Sequence, residues 1–179
     1  MQVIIDELAS WYVFIFCKEY FDRPADPGSY IMYNNKRLTN KEYLEHWGKW
    51  VFLVHTENVR EMADKLDPYV ENKSIPCIKY DRKPQKFFRL EECVFCVYCD
   101  DRQRDEVWKI IESQGVKGRA WTYEREVISK WMPGGLNMER WLKYHNTSGE
   151  EAEKIRKDAR MRLGQFYNNP DDPCMGWAQ

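Results

Sequence analysis

The sequence predicts an α+β fold, in which a mixed or mainly antiparallel sheet carries helices on one face. Three observations lead to this class. Short apolar and β-branched runs alternate with segments of helical periodicity along the 179 residues. No glycine-rich phosphate loop follows a predicted strand, which argues against a doubly wound parallel sheet. The apolar share of 43% is typical of a globular chain that can bury a core.

Several segments have the composition and length of strands. The run WYVFIFC at 11–17 is continuous and apolar, which indicates a buried strand, with a helix as the alternative. The remaining predicted strands combine β-branched and aromatic residues with turn signals at their ends, and they cover 30–33, 50–54, 75–80, 93–99 and 119–127.

Helix signals fall between these strands. Thr39 and Glu42 have the spacing of a capping box, which predicts a short helix through His46 that ends at Gly48. Further helices are predicted over 56–70, from Asp100 or Asp101 to Gly115, over 137–145 and from Gly149 onward. We therefore predict a single α+β domain over 1–168 and a flexible C-terminal tail over 169–179.

The motif CVFCVYC at 93–99 has the cysteine spacing of some iron–sulfur sites, but its intervening residues are strand formers. In a strand, Cys93 and Cys99 share one face and Cys96 points to the other. Thiols on opposite faces do not converge on one ion. The motif therefore predicts a core strand and no metal site.

Charge and composition limit the kinds of partner. The 28 basic and 29 acidic side chains give a net charge of −1, which argues against a strongly nucleic-acid-binding surface and leaves a local basic patch open. The apolar run at 11–17 is too short to span a bilayer, and no basic leader precedes it. The six cysteines lack the paired spacing of a secreted scaffold. We expect a cytoplasmic protein without membrane contact.

Candidates for chemistry lie on or beside the predicted strands. Lys79 belongs to strand 75–80 and precedes a basic stretch; burial would lower its pKa and make it a base, whereas a solvated lysine is the alternative. His55 follows strand 50–54, where a general acid would sit at the strand end. If 119–127 is a strand, Arg119 and Arg125 share a face and can clamp a phosphate.

Four segments within 48–135 carry a resemblance to a known family: GKWVFLVHTENVREMA, IPCIKYD, FCVYCDD and TYEREVISKWMPGG. In order and spacing they resemble the phosphothreonine lyases, which are bacterial effectors that remove phosphate from phosphothreonine by β-elimination. The clearest part of the resemblance consists of Tyr123, Glu126, Val127, Ser129, Gly134 and Gly135.

This resemblance implies a carbon–oxygen lyase that acts on a phosphopeptide or a phosphorylated small ligand without a metal or organic cofactor. In the family a strand lysine removes the Cα proton, and Lys79 stands at that position. In the family a histidine protonates the departing phosphate. Val51 stands at the position of that histidine in this sequence, so the nearby His55 is the candidate for the general acid. The resemblance implies that cations hold the phosphate, and the candidates here are Arg89, Arg119, Arg125 and Lys130.

GKWVFLV followed by a helix is also similar to a family of uncharacterised proteins of eukaryotes and archaea that are related in fold to the cap-binding translation initiation factor. That similarity implies a curved antiparallel sheet backed by helices. It also implies an alternative function, a non-catalytic module that binds a nucleotide or RNA cap by tryptophan stacking. The candidate stacking residues are Trp50, Trp121 and Trp131, for which core packing is the alternative.

Overall fold

The computed structural model describes residues 3–4, 12–22 and 29–176, and the α+β class is confirmed. The N-terminal apolar run forms a strand and not a helix. The strands of the described residues are β1 (Val3–Ile4), β2 (Tyr12–Phe16), β3 (Phe21–Asp22), β4 (Tyr30–Tyr33), β5 (Lys36–Arg37), β6 (Trp47–Val54), β7 (Cys77–Asp81), β8 (Cys93–Asp100) and β9 (Trp121–Tyr123).

The helices begin close to the predicted caps. Thr39 and Glu42 form the predicted capping box, since Glu42 N–H donates to the Thr39 hydroxyl and the Glu42 carboxylate accepts from Thr39 N–H. Within the described ranges no helix is long and apolar enough to cross a membrane. The helices are α1 (Asn40–His46), α2 (Val59–Glu71), α3 (Arg104–Ser113), α4 (Glu124–Trp131), α5 (Leu136–Tyr144) and α6 (Gly149–Asn168).

The main sheet has the strand order β1-β2-β7-β8-β6-β9 within the described residues, and every pairing is antiparallel. β3, β4 and β5 form a second, smaller antiparallel sheet. β7 and β8 lie at the centre of the main sheet. Side chains of these two strands are therefore the ones most enclosed by neighbouring strands.

Strand alternation divides the core between the two faces of the main sheet. Helices α2 and α3 cover one face, named here the α2–α3 face. Helices α1, α4, α5 and α6 and the small sheet cover the other, named here the cleft face. The helices thus lie on both faces and not only on the predicted one, because β6, β7 and β8 carry apolar side chains on both sides and each side must be buried.

The cysteine-rich motif is strand β8, as predicted. Cys93 and Cys99 lie in the core of the α2–α3 face with Phe95, and Cys96 lies on the cleft face with Tyr98. Phe95 stacks between Phe52 of β6 at 5.1 Å and Tyr80 of β7 at 5.4 Å.

Two segments differ from the prediction. Strand β6 begins at Trp47, so Gly48 lies inside the strand and does not end a helix there. The predicted strand over 119–127 ends at Tyr123, and Arg125 belongs to helix α4. The reason is an unrecognised helix start: the Glu126 carboxylate accepts from Tyr123 N–H and from the Thr122 hydroxyl.

The segment after α6 is packed over 169–176, which differs from the predicted flexible tail. Asn40 N–H donates to the Asp172 carbonyl at 2.9 Å. Cys174 N–H donates to the Leu38 carbonyl at 2.7 Å, and Ile31 N–H donates to the Cys174 carbonyl at 3.0 Å. The Cys174 side chain is fully buried. Residues 177–179 lie outside the described residues.

Candidate functional site

A cleft of about 730 Å³ lies between the cleft face of the main sheet and helices α4 to α6. The sheet forms its floor, and α4, α5 and α6 form its walls. The polar side chains of the floor come from alternate positions of adjacent strands, so they all point into the cleft. They include Lys49, Lys79, Asp81, Cys96 and Tyr98, and Arg162 of α6 lines the wall.

Lys79 lies at the centre of the floor, on β7 between Phe14 of β2 and Cys96 of β8. Its side chain is half-buried, and its ammonium lies 4.1 Å from the ring centroid of Tyr12. Burial lowers the pKa of Lys79, and the Lys49 ammonium adds to this effect. Cys96 and the Asp81 and Glu124 carboxyl groups act in the opposite direction, and the net direction is downward. Lys79 has no hydrogen bond or ion pair with the part of the chain that the structure describes. Its amine is therefore open toward the cleft.

Lys49 is the second lysine of the floor, and its surroundings are different. Its ammonium donates to Glu124 Oε1 at 2.6 Å and to the Tyr98 hydroxyl at 3.3 Å. Lys49 is 8% exposed and Glu124 is 1% exposed. Burial alone would lower the pKa of Lys49, but the Glu124 carboxylate holds it above the ordinary lysine value. Lys49 therefore stays charged where Lys79 loses its proton more readily.

The Tyr98 hydroxyl lies beside the Lys49 ammonium and is kept protonated. Burial, together with the nearby Cys96 thiol and Glu124 carboxylate, raises the pKa of Tyr98 well above its ordinary value. Tyr98 accepts a hydrogen bond from Lys49, and no acceptor for its own proton occurs among the described side chains. The hydroxyl can therefore donate to a ligand.

The other end of the floor carries a buried carboxyl group. Asp81 is 5% exposed and accepts a 2.5 Å hydrogen bond from Gln85 Nε2. Burial raises the pKa of Asp81, and the hydrogen bond from Gln85 and the charge of Lys79 oppose this rise. Across the cleft, Arg162 is exposed and forms no ion pair within the described ranges. The cleft thus contains Lys49, Lys79 and Arg162. Of the two carboxyl groups beside them, Glu124 pairs with Lys49, and burial tends to neutralise Asp81.

The other predicted catalytic residue lies elsewhere. His55 follows β6, is exposed, and lies 3.8 Å from Glu92. It lines a separate groove of about 700 Å³ together with Arg119, beside α2 and the loop before β9. The structure therefore does not bring His55 together with Lys79.

The predicted phosphate ligands do not converge on the cleft either. Arg119 pairs with Asp105 at 2.9 Å on the α2–α3 side. Arg125 donates to the carbonyl oxygens of Leu44 and Glu45. Two others, Arg89 and Lys130, are exposed and adjoin in sequence the cleft-lining residues Phe88 and Trp131.

The three candidate tryptophans do not form one cage. Trp50 is 2% exposed and packs against Trp108 and, edge to face, against Trp121 in the core of the α2–α3 face. Trp131 lies on the opposite side of the sheet and lines the cleft. Only Trp131 is therefore in a position to contact a ligand of the cleft.

His46, Asp100 and Asp101 place ligand atoms within 4.8 Å of one another. Each carboxylate already has a partner, because Asp100 binds the Arg102 guanidinium and Asp101 accepts from the Tyr123 hydroxyl and faces His46. We interpret this group as a hydrogen-bond network that joins α1, β8 and β9.

Sequence reasoning did not identify Lys49, Glu124, Tyr98 and Arg162 as site residues. One signal was present: a lysine inside the apolar run WGKWVFLV must be buried, and a buried lysine requires an acidic partner. Which carboxylate serves as that partner is fixed only by the fold, since Glu124 is 75 residues away.

The chain was compared with known proteins in three ways. A scan against protein-family models, a search of curated proteins and a search of solved structures each returned no match.

Proposed function

We propose that the cleft binds a phosphorylated ligand and that Lys79 is the base that removes phosphate from it by β-elimination. The observation that carries the proposal is the lowered pKa of an amine that is open toward a cleft and free of a carboxylate partner among the described residues. A base must be unprotonated at the working pH, and burial favours that state for Lys79.

The charge of the cleft supports an anionic ligand. Lys49 remains an ammonium because of Glu124, and the Arg162 guanidinium lacks a carboxylate partner within the described ranges. A guanidinium offers paired donors to two phosphate oxygens. We therefore assign phosphate binding in the cleft to Arg162 and Lys49, in place of the four cations suggested by the resemblance.

The proposed step needs no metal or organic cofactor. The neutral Lys79 amine takes the Cα proton and becomes an ammonium. The electron pair of the broken C–H bond forms the Cα=Cβ double bond, and the bond between Cβ and the phosphate ester oxygen breaks. Phosphate leaves with that oxygen and its electrons. The Tyr98 hydroxyl, polarised by Lys49, donates a hydrogen bond to the leaving oxygen in the role predicted for His55.

The test is mass spectrometry of phosphothreonine and phosphoserine peptides after incubation with the protein. Elimination gives a product that has lost phosphoric acid and contains an alkene, whereas hydrolysis gives the free alcohol. Lys79→Ala and Lys79→Arg should both abolish elimination. Alanine has no amine to accept the proton, and the guanidinium of arginine stays protonated and cannot act as a base. Lys79→Arg should still bind the peptide, since Arg162 and Lys49, which are assigned to hold the phosphate, are unchanged.

Lys109→Ala is the matched control, because Lys109 is an exposed lysine of α3 on the other side of the sheet. It should leave turnover unchanged. Undiminished elimination by Lys79→Ala would remove Lys79 from the mechanism, and unchanged peptides with the unaltered protein would overturn the lyase proposal.

A second candidate function is binding of a nucleotide without turnover. Its support is the position of Trp131 and Phe88, which line the same cleft as Lys79 and Arg162. One aromatic side chain would stack on the base while the cations hold the phosphates. Purine nucleotides should then quench tryptophan fluorescence, and Trp131→Phe should abolish most of the quenching. A flat titration would remove this candidate.

A further inference from the structure

A surface at the entrance of the cleft combines aromatic rings with cations, and we name it the mouth surface. It consists of the 3-10 turn Lys86–Phe88 with Arg89, the end of α4 at Lys130 and Trp131, and the part of α5 that carries Arg140, Lys143 and Tyr144. The turn packs against α5, and α5 packs against α4.

The aromatic rings of the mouth surface form one group. The Phe87 ring centroid lies 4.0 Å from Phe88, 6.2 Å from Trp131 and 6.4 Å from Tyr144. Tyr144 is 49% exposed, and the other three rings are half-buried. The group therefore presents part of its ring surface to solvent beside the cleft, while Trp131 also packs against the core of the cleft face.

The cations of the mouth surface are not neutralised by the protein. Lys86, Arg89, Lys130, Arg140 and Lys143 are all exposed, and none of them forms an ion pair within the described ranges. Glu91, two residues after Arg89, is exposed, whereas two other neighbouring carboxylates, Glu126 and Glu139, are already engaged.

Each of these two engaged carboxylates has a partner of its own. Glu139 of α5 binds Arg156 at 2.7 Å, and Glu126 of α4 caps its own helix. Arg140 lies 6.0 Å from the ring centroid of Phe88, so charge and ring surface are interleaved. The result is a local positive field in a chain of net charge −1.

We propose that the mouth surface binds single-stranded nucleic acid. Cations along a backbone path and aromatic rings that stack on bases are the two components of sequence-tolerant single-strand binding. A paired duplex hides the faces of its bases, so it can use the cations but not the rings. An acidic peptide likewise uses only the cations. The proposal is independent of Lys79 and of turnover in the cleft.

The probe is a fluorescein-labelled oligouridylate of about 12 nucleotides, followed by fluorescence anisotropy. The logarithm of the association constant should fall linearly with the logarithm of the NaCl concentration between about 50 and about 200 mM. The slope should be about −0.7 for each phosphate contact. Lys86→Glu combined with Arg89→Glu should weaken binding at least about tenfold and make the slope shallower. Tyr144→Ala should weaken binding about fivefold or more at every salt concentration.

Lys109→Glu combined with Lys117→Glu is the matched control, since these lysines are exposed, unpaired within the described residues and part of α3 and the loop before β9. This variant should bind the oligonucleotide as the unaltered protein does. Lys79→Ala should also bind it unchanged, which separates this proposal from the one on catalysis.

Three results would overturn the proposal. One is the absence of binding at about 50 mM NaCl. The second is equal weakening by the Lys86/Arg89 and Lys109/Lys117 charge reversals, which would indicate a non-specific field. The third is a pair of results obtained together: a duplex or an acidic phosphopeptide binds as tightly as the oligouridylate, and Tyr144→Ala does not weaken binding of the oligouridylate. Together they would show that the rings do not stack on bases.

Discussion

Lys49 and Lys79 point into the same cleft from the same face of one sheet, yet their pKa values move in opposite directions. The Glu124 carboxylate raises the pKa of Lys49, whereas burial without a paired carboxylate lowers that of Lys79. Groups whose surroundings separate their pKa values in this way are suited to different roles in one site. Lys49 is suited to hold charge, and Lys79 is suited to accept a proton.

The two lysines also make opposite contributions to the pH dependence of stability. The pKa of Lys79 in the folded chain lies below the ordinary lysine value of 10.5, so the unfolded chain binds more protons between these two values. Lys79 therefore favours the folded state increasingly as pH rises through that window. The stabilisation from Lys49 is fully present below 10.5 and is lost only as pH rises through its raised folded pKa.

We predict that Glu124→Ala strongly destabilises the protein, by about 3–5 kcal/mol, because it leaves the Lys49 ammonium buried without its carboxylate. The measurement is the free energy of unfolding from urea denaturation at neutral pH. Combining Glu124→Leu with Lys49→Met should recover much of the loss, since the pair is then replaced by apolar groups.

Glu61→Ala is the control, because the Glu61–Lys65 ion pair lies exposed on α2. It should hardly change the free energy of unfolding. If the Glu124 and Glu61 variants are equally stable, the buried pair does not organise the cleft floor.

At the scale of the residue, the sequence identified one member of the site and not its surroundings. Lys79 stands out because it is the one charged residue within IPCIKY, and in the strand CIKYD it is the one half-buried position between buried neighbours. Lys79 lines the same cleft as Lys49, Tyr98 and Arg162 because of the strand order β7-β8-β6 and the path of α6. The spacing of these residues along the sequence does not encode that arrangement. Two of the predicted phosphate ligands, Arg119 and Arg125, instead bind partners outside the cleft.

At the scale of the element, local signals gave most strands and helices but misjudged segments whose ends depend on tertiary contacts. The capping box at Thr39 and the strand CVFCVYC follow from short-range chemistry. The segment TYEREV has strand-forming residues, yet the Glu126 carboxylate caps a helix directly after Tyr123. Gly48 resembles a helix terminator and instead makes room for an aromatic ring on the adjacent strand.

We predict that Gly48→Ala destabilises the protein by about 1–3 kcal/mol through overpacking. A Cβ at Gly48 would overlap the Trp121 ring and lie 2.8 Å from the Thr122 carbonyl oxygen, so strand β9 has to shift. The midpoint of urea unfolding should fall. Because Trp121 lies in the displaced strand, the tryptophan fluorescence of the folded protein should change as well.

The matched variant is Gly118→Ala, since nothing lies within 4 Å of a Cβ at that exposed loop position. It should leave the unfolding midpoint and the fluorescence unchanged. A Gly48→Ala protein as stable as the Gly118→Ala protein would contradict the close approach of β6 and β9.

At the scale of the whole molecule, the sequence predicted the class and the antiparallel sheet but not the second layer of helices or the uneven distribution of charge. The net charge of −1 is a sum over the whole chain, so it does not reveal that the mouth surface carries several exposed cations without ion pairs among the described residues. Helices cover both faces because the central strands are apolar on both sides, which is visible only once their neighbours are known.

The C-terminal segment gives a prediction at this scale. Ending the chain at Asn168 removes backbone hydrogen bonds to Leu38, Ile31 and Asn40 and exposes the core around them. We expect a loss of about 2–5 kcal/mol, because each buried backbone bond contributes about 0.5–1.5 kcal/mol. Thermal unfolding measures it. A chain that ends at Gly176 keeps these bonds and is the control; equal stability of the two shortened chains would contradict the packing of 169–176.

The proposal that Lys79 is a readily deprotonated amine in a cleft that binds a phosphorylated ligand can be tested by competitive acetylation of the lysines across a pH series, quantified peptide by peptide by mass spectrometry. We predict that the reactivity of Lys79 titrates below the ordinary lysine pKa of 10.5, and that a phosphothreonine peptide protects Lys79 but not the exposed Lys109 from acetylation. Titration of Lys79 at or above that value, or equal labelling of Lys79 with and without the peptide, would argue against the proposal.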